Sequence, residues 1–102
     1  MKKIWHLKKA EKLNDGYDFS GKIYVTKRIK EELSSSEIQS ILDMIWNRVI
    51  KEFGLDYHQI YYDETGQVIF VIDNINKMMR YTKPRKWVEE NDYLTIMFAD
   101  EY

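Results

Sequence analysis

Between Ser36 and Gly54, Ile38, Ile41, Leu42, Ile45, Trp46, Val49, Ile50 and Phe53 recur at steps of three and four. That spacing gathers side chains on one stripe of an α-helix. Glu37, Gln39, Ser40, Asp43, Asn47, Arg48, Lys51 and Glu52 fill the other side, with Arg48 and Glu52 one turn apart. The pattern predicts a helix over 36–53 with Trp46 at the centre of its buried stripe and Met44 on its polar side. Ser36 suits the N-cap, Gln39 the capping-box position and Gly54 a left-handed C-terminal cap. Such a helix, about 27 Å long at 1.5 Å per residue, needs a sheet or other helices to cover its apolar side.

Elsewhere the period falls to two. Residues 22–27 (KIYVTK), 56–62 (DYHQIYY), 67–72 (QVIFVI) and 93–99 (YLTIMFA) read as strands. Asp63 to Gly66 reads as a hairpin loop, with Gly66 free to take positive φ. Val68 to Ile72 is apolar at successive positions, which suits a strand covered on both faces. Residues 28–33 are charged and lead into the helix, and Asp73 opens a turn. Pro84 opposes helix at Lys83 and suits the first position of a helical turn over the next residues. Residues 1–13 space Ile4, Leu7, Ala10 and Leu13 loosely by three among lysines, and 14–21 are rich in turn formers. The expected fold is one α+β domain over 1–102: a small antiparallel sheet of about four strands packed on the helix 36–53. Residues 1–20 are expected as a peripheral basic arm or short helix.

The chain has 102 residues, 44% of them hydrophobic, with one proline and no cysteine. This length and composition fit one globular core. Without cysteine, disulfides, thiolate metal sites and cysteine nucleophiles are excluded. No apolar run reaches the roughly 20 residues of a membrane span, so no membrane association is expected and a cytoplasmic location is. The net charge of −1 hides blocks: nine cations against three acids in 1–30, two against nine in 31–76, five against none in 77–87, none against five in 88–102. Such blocks read either as complementary patches that neutralise one another when packed together or as separate binding faces.

Catalytic and metal signatures are absent. His6 and His58 stand apart, without the spacing of a zinc site, and His58 reads as a structural strand histidine. Asp63-Glu64-Thr65-Gly66 lacks the length of a calcium loop, and there is neither a phosphate-binding glycine loop nor a nucleophile elbow. No cofactor, metal or catalytic residue is expected, and the protein is read as non-enzymatic. Two stretches exceed a plain core. Tyr57, Tyr61 and Tyr62 load one strand with side chains that combine contact area and a polar tip. Lys77 to Trp87 (KMMRYTKPRKW) mixes cations and aromatics in the manner of a single-strand nucleic-acid contact, or of a loop packing its apolar side chains on the domain. The candidate binding surface is Tyr57, Tyr61, Arg80, Tyr81, Lys83, Arg85, Lys86 and Trp87.

Tyr24-Val25-Thr26-Lys27-Arg28, an amphipathic helix with a tryptophan, Asp56-Tyr57-His58-Gln59-Ile60 and the closing Thr95-Ile96-Met97-Phe98-Ala99-Asp100-Glu101-Tyr102 follow in this order. In this the chain resembles the family called domain of unknown function 960, short proteins of Gram-positive bacteria and their phages. Residues 1–20 and Lys77 to Asn91 fall outside the pattern. The family has no established activity, so the resemblance implies an accessory role and no catalytic residue. The function expected is that of a small accessory or inhibitory protein of bacterial or phage origin acting on an unidentified protein partner. The alternative is a nucleic-acid-binding module using 77–87. Monomer and homodimer are both left open.

Overall fold

A computed structural model describes residues 4–8 and 15–102. The long helix, α2 (Ser35–Glu52), starts one residue earlier than the expected 36, and its N-cap lies two residues earlier, at Ser34 rather than Ser36. The Ser34 side chain accepts from the Glu37 backbone N–H, and the Glu37 carboxylate accepts from the Ser34 N–H, both at 3.2 Å. This is the reciprocal capping box, with Glu37 in the place assigned to Gln39. Leu33 and Ile38 take the flanking staple positions, Leu33 within the core and Ile38 against it. At the other end the left-handed cap is Phe53 (φ 59), with Gly54 following at φ 121.

Among the described residues five strands build the sheet: β1 (His6–Lys8), β2 (Lys22–Val25), β3 (His58–Tyr62), β4 (Val68–Asp73) and β5 (Tyr93–Phe98). Their spatial order is β1-β3-β4-β5-β2. Together with the helices this is the expected α+β arrangement. Two features of the sheet differ from expectation. It is mixed, because β2 lies parallel to β5 while the other pairs are antiparallel. Helical connection α1 (Lys27–Glu32) plus α2 carries the chain from β2 back to the starting end, so β2 and β3 run the same way. The meander β3-β4-β5 then makes β5 parallel to β3, and β2 docks beside β5. The fifth strand is β1, in the segment expected to be peripheral. Trp5 is buried, Leu7 packs on the core, and the Trp5 indole donates to Glu37 at 3.1 Å. Phe19 is completely buried as well. The rest of the expected arm or short helix, 1–3 and 9–14, lies outside the described residues.

The register gives each face of the sheet its residues. Tyr61, Ile69, Val71, Leu94, Ile96 and Phe98 point to the core face, against Ile29 and Leu33 near α1 and Ile41, Leu42 and Ile45 of α2. Met44, expected on the polar side, is half-buried against this core, and Trp46 is half-buried at its margin rather than at its centre. The last turn of α2 is exposed: Ile50 and Phe53, counted in the buried stripe, are 75% and 82% accessible. Between β4 and β5 the chain forms α3 (Lys77–Thr82) and α4 (Arg85–Asn91). Pro84 separates them, with Lys83 extended before it (ψ 154) as the proline requires. Asn76 caps α3 by accepting from the Met79 N–H at 2.9 Å. A 3₁₀ turn, Ala99–Glu101, follows β5 and leads to Tyr102.

Candidate functional site

Strand alternation sends residues 59 and 61 of β3 inward and 58, 60 and 62 outward. Tyr61 is therefore 0% exposed and is removed from the candidate binding surface. Tyr62 takes the outward position, and Tyr57, just before the strand, is half-buried beside Tyr17, ring centroids 6.0 Å apart.

The basic segment is distributed by the α3–α4 hairpin. Arg80 faces inward and is held by two carboxylates: Asp18 at 3.1 Å from one terminal nitrogen, Asp92 at 2.8 Å from the other. These bonds, to Asp92 above all, raise the guanidinium's pKa further, so it is a permanent cation. Arg80 ties the segment before β2 to the segment before β5, and is not an open phosphate ligand. Lys83 lies over the Trp87 ring at 5.5 Å, and Arg85 pairs with Glu89 one turn on at 3.2 Å. Lys86 is exposed, and Tyr81 is 89% exposed. Of the eight candidate residues, the structure brings Arg80, Tyr81, Lys83, Arg85, Lys86 and Trp87 onto one helical hairpin and leaves Tyr57 and Tyr61 elsewhere.

Asp73 sits behind Arg80 at the end of β4, on the core face. It is 2% exposed; one carboxylate oxygen accepts from the Phe19 N–H at 2.9 Å, and the other has no hydrogen-bond partner. Burial pushes its pKa up to about 7, assisted by Asp18 and Asp92 and opposed by the Phe19 N–H and Arg80. Among the described residues no cluster of three or more histidine or acidic side chains could hold a metal ion.

The largest feature that sequence reading missed is the second face of the sheet. Among the described residues none on it is buried: His58, Ile60, Val68, Phe70, Ile72, Tyr93, Thr95 and Met97 are all partly exposed, and Tyr24 and Tyr62 are exposed. The expectation that Val68 to Ile72 is covered on both faces is thus corrected. Ile69 and Val71 enter the core, whereas Val68, Phe70 and Ile72 line an open face. Cross-strand neighbours Ile60, Phe70 and Met97 form an apolar row across its middle. Tyr102 folds back onto it, stacked on His58 at 5.7 Å and edge-on to Phe70 at 5.6 Å, while His58 meets the Phe70 ring at 4.3 Å. An antiparallel sheet with one wet face ordinarily alternates apolar with polar. Here the five-residue apolar run of β4 was the available signal: one half of it had to face something other than the core.

Among the described residues no helix is long and apolar enough to cross a membrane. Compared with protein-family models, curated proteins and solved structures, the chain matches none of them.

Proposed function

We propose that the protein is a non-enzymatic accessory or inhibitory factor that acts by protein–protein contact through the open face of its sheet. The observation that supports this is the Ile60-Phe70-Met97 row, flanked by His58, Ile72, Tyr24, Tyr62 and Tyr102, on a face where, among the described residues, no side chain is buried. A contiguous apolar, tyrosine-rimmed patch is the composition of a protein interface, where aromatics and methionine are enriched. The resemblance to domain of unknown function 960 adds an origin in a Gram-positive bacterium or its phage, and the cysteine-free composition accords with the cytoplasm.

The nucleic-acid alternative draws less support from the same geometry. Arg80 is engaged by Asp18 and Asp92, Arg85 by Glu89, and a face of Trp87 by Lys83. Affinity capture from a Gram-positive lysate, with and without nuclease, separates the two. The protein-contact reading expects a partner that survives nuclease and is lost by a folded Phe70→Glu variant. Nuclease-sensitive capture abolished by replacing Lys83, Arg85 and Lys86 with alanine would overturn it.

A further inference from the structure

The strand order leaves β2 at an edge of the sheet. Its hydrogen bonds to β5 come from alternate residues: the Lys22 N–H donates to the Asp92 carbonyl at 3.0 Å and the Thr26 N–H to the Ile96 carbonyl at 3.1 Å. By the alternation of a parallel ladder, Lys22, Tyr24 and Thr26 direct their backbone groups at β5, and Ile23 and Val25 direct theirs outward. The outer edge therefore presents two N–H and two C=O groups, from the alternate residues Ile23 and Val25. Natural edges are blunted by shortness, by charged side chains such as lysine, and by proline or bulges, and of these β2 has its four-residue length and the exposed Lys22 at its start. β2 has no proline, and its central side chains are apolar or aromatic on both faces, Ile23 at 45% and Tyr24 at 50% exposure.

We propose that this edge is a self-association site, on which a second copy of the chain lays its own β2 antiparallel, with Ile23 opposite Val25 of the other copy. The register follows from the backbone. Counting only the strand residues Lys22–Val25, pairing Ile23 with itself, or Val25 with itself, satisfies one outward residue per copy. Pairing Ile23 with Val25 satisfies both, and all four groups of each edge find a partner. Tyr24 then meets its counterpart on the two-fold axis as a non-hydrogen-bonded pair, the closer of the two antiparallel spacings. Tyr24 already packs edge-on against Tyr93, ring centroids 5.2 Å apart, so four tyrosines gather at the axis. In this register Lys22 faces Thr26 of the other copy, whose hydroxyl donates to the Glu101 carboxylate at 3.0 Å. Each exposed lysine is thereby brought toward an acidic group of the partner. Two five-stranded sheets become one of ten, within the range of open sheets, and the open faces of the two copies join into a single surface.

The absence of cysteine makes the register directly testable. A non-hydrogen-bonded antiparallel pair places its Cα atoms about 4.5 Å apart, inside the range a disulfide accepts. Under mild oxidation Tyr24→Cys is expected to form a disulfide-linked dimer, with the far more exposed Tyr81→Cys setting the background and Ile23→Cys, which faces Val25 rather than itself, staying near that background. Sedimentation equilibrium on the wild type should give a mass rising with concentration from 12.4 kDa toward twice that value. Ile23→Pro, which loses only an outward N–H and so suits an edge, should remain at the monomer mass. A wild type that is monomeric at every concentration, or Tyr24→Cys crosslinking no faster than Tyr81→Cys, overturns the proposal. So does a dimer untouched by Ile23→Pro, which would place the contact on the open sheet face. If Ile23→Pro fails to fold, the three cysteine variants decide alone.

Discussion

Trp46 donates its indole N–H to the backbone carbonyl of Phe19 at 2.8 Å. The N–H of the same residue donates to Asp73, so Phe19, buried and left-handed at φ 53, is gripped on both sides of its Cα. A left-handed phenylalanine costs about 1–2 kcal/mol relative to ordinary backbone, and these two bonds, with full burial of the ring, hold it there. Trp46 is thus a clasp between α2 and the segment before β2, more than a core centre.

Replacing Trp46 with phenylalanine keeps most of the ring but leaves the Phe19 carbonyl without its donor, at an expected cost of about 1–3 kcal/mol. Ile45→Ala, at a fully buried position, should cost more, about 2–5 kcal/mol. Urea denaturation of the two variants checks the order. A silent Trp46→Phe would mean that the indole bond contributes nothing.

Asp73 sets the pH dependence. Its pKa in the folded protein is about 7, above the value of 3.8 for a free side chain, so the native state holds a proton that the unfolded chain has released. Between those values stability falls as pH rises, then levels off above pH 7. Asp73→Asn cannot ionise and retains an oxygen for the Phe19 N–H. It should flatten that slope, with the variant gaining on the wild type as pH rises from 4 to 8, read by thermal melts across this range. A wild-type melting temperature that climbs steadily over the same interval would contradict the assignment.

Much of this fold is written in local periods. Ile41, Leu42 and Ile45 announce the buried side of α2, and the alternation in 93–99 announces β5, because both patterns report a local backbone geometry. What was illegible depends on non-local partners. Tyr61 and Tyr62 are chemically alike, and only the register against Ile69 and Val68 decides that one is core and the other surface. The direction of β2 follows from where β5 docks. Arg80 is indistinguishable in sequence from Arg85, yet Asp18 and Asp92, 62 and 12 residues away, claim it. Trp5 lay among lysines with no visible period, and its burial depends on β3 and on Glu37.

Gly21 and Gly66 need glycine for different reasons. A Cβ on Gly21 would lie 2.5 Å from the Asp92 backbone carbonyl, so Gly21→Ala must push β2 away from the residue that anchors Arg80. Gly66 has open space around it and is left-handed at φ 90, so Gly66→Ala meets only backbone strain, about 1–2 kcal/mol. Denaturation should show Gly21→Ala as clearly the more damaging. Equal losses would argue that the Gly21 approach relaxes freely.

The sharpest division falls within the basic segment. Arg80 is three-quarters buried between two carboxylates, whereas Arg85 is exposed beside Glu89. Arg80→Ala should therefore cost about 1.5–3 kcal/mol, the range for hydrogen bonds to charged groups. The alanine triple at Lys83, Arg85 and Lys86 should stay within about 0.5 kcal/mol of wild type. Arg80 also lowers the Asp73 pKa. Its removal should raise that pKa further and extend the pH-dependent loss above pH 7, an effect that Asp73→Asn in the same chain should cancel. The double-mutant cycle thus separates the Arg80–Asp73 coupling from the simple loss of the Asp18 and Asp92 bonds. If the segment gripped nucleic acid instead, the triple variant would lose oligonucleotide affinity and flatten its salt dependence. Arg80→Ala would then lose affinity too, in addition to the stability that its bonds to Asp18 and Asp92 contribute.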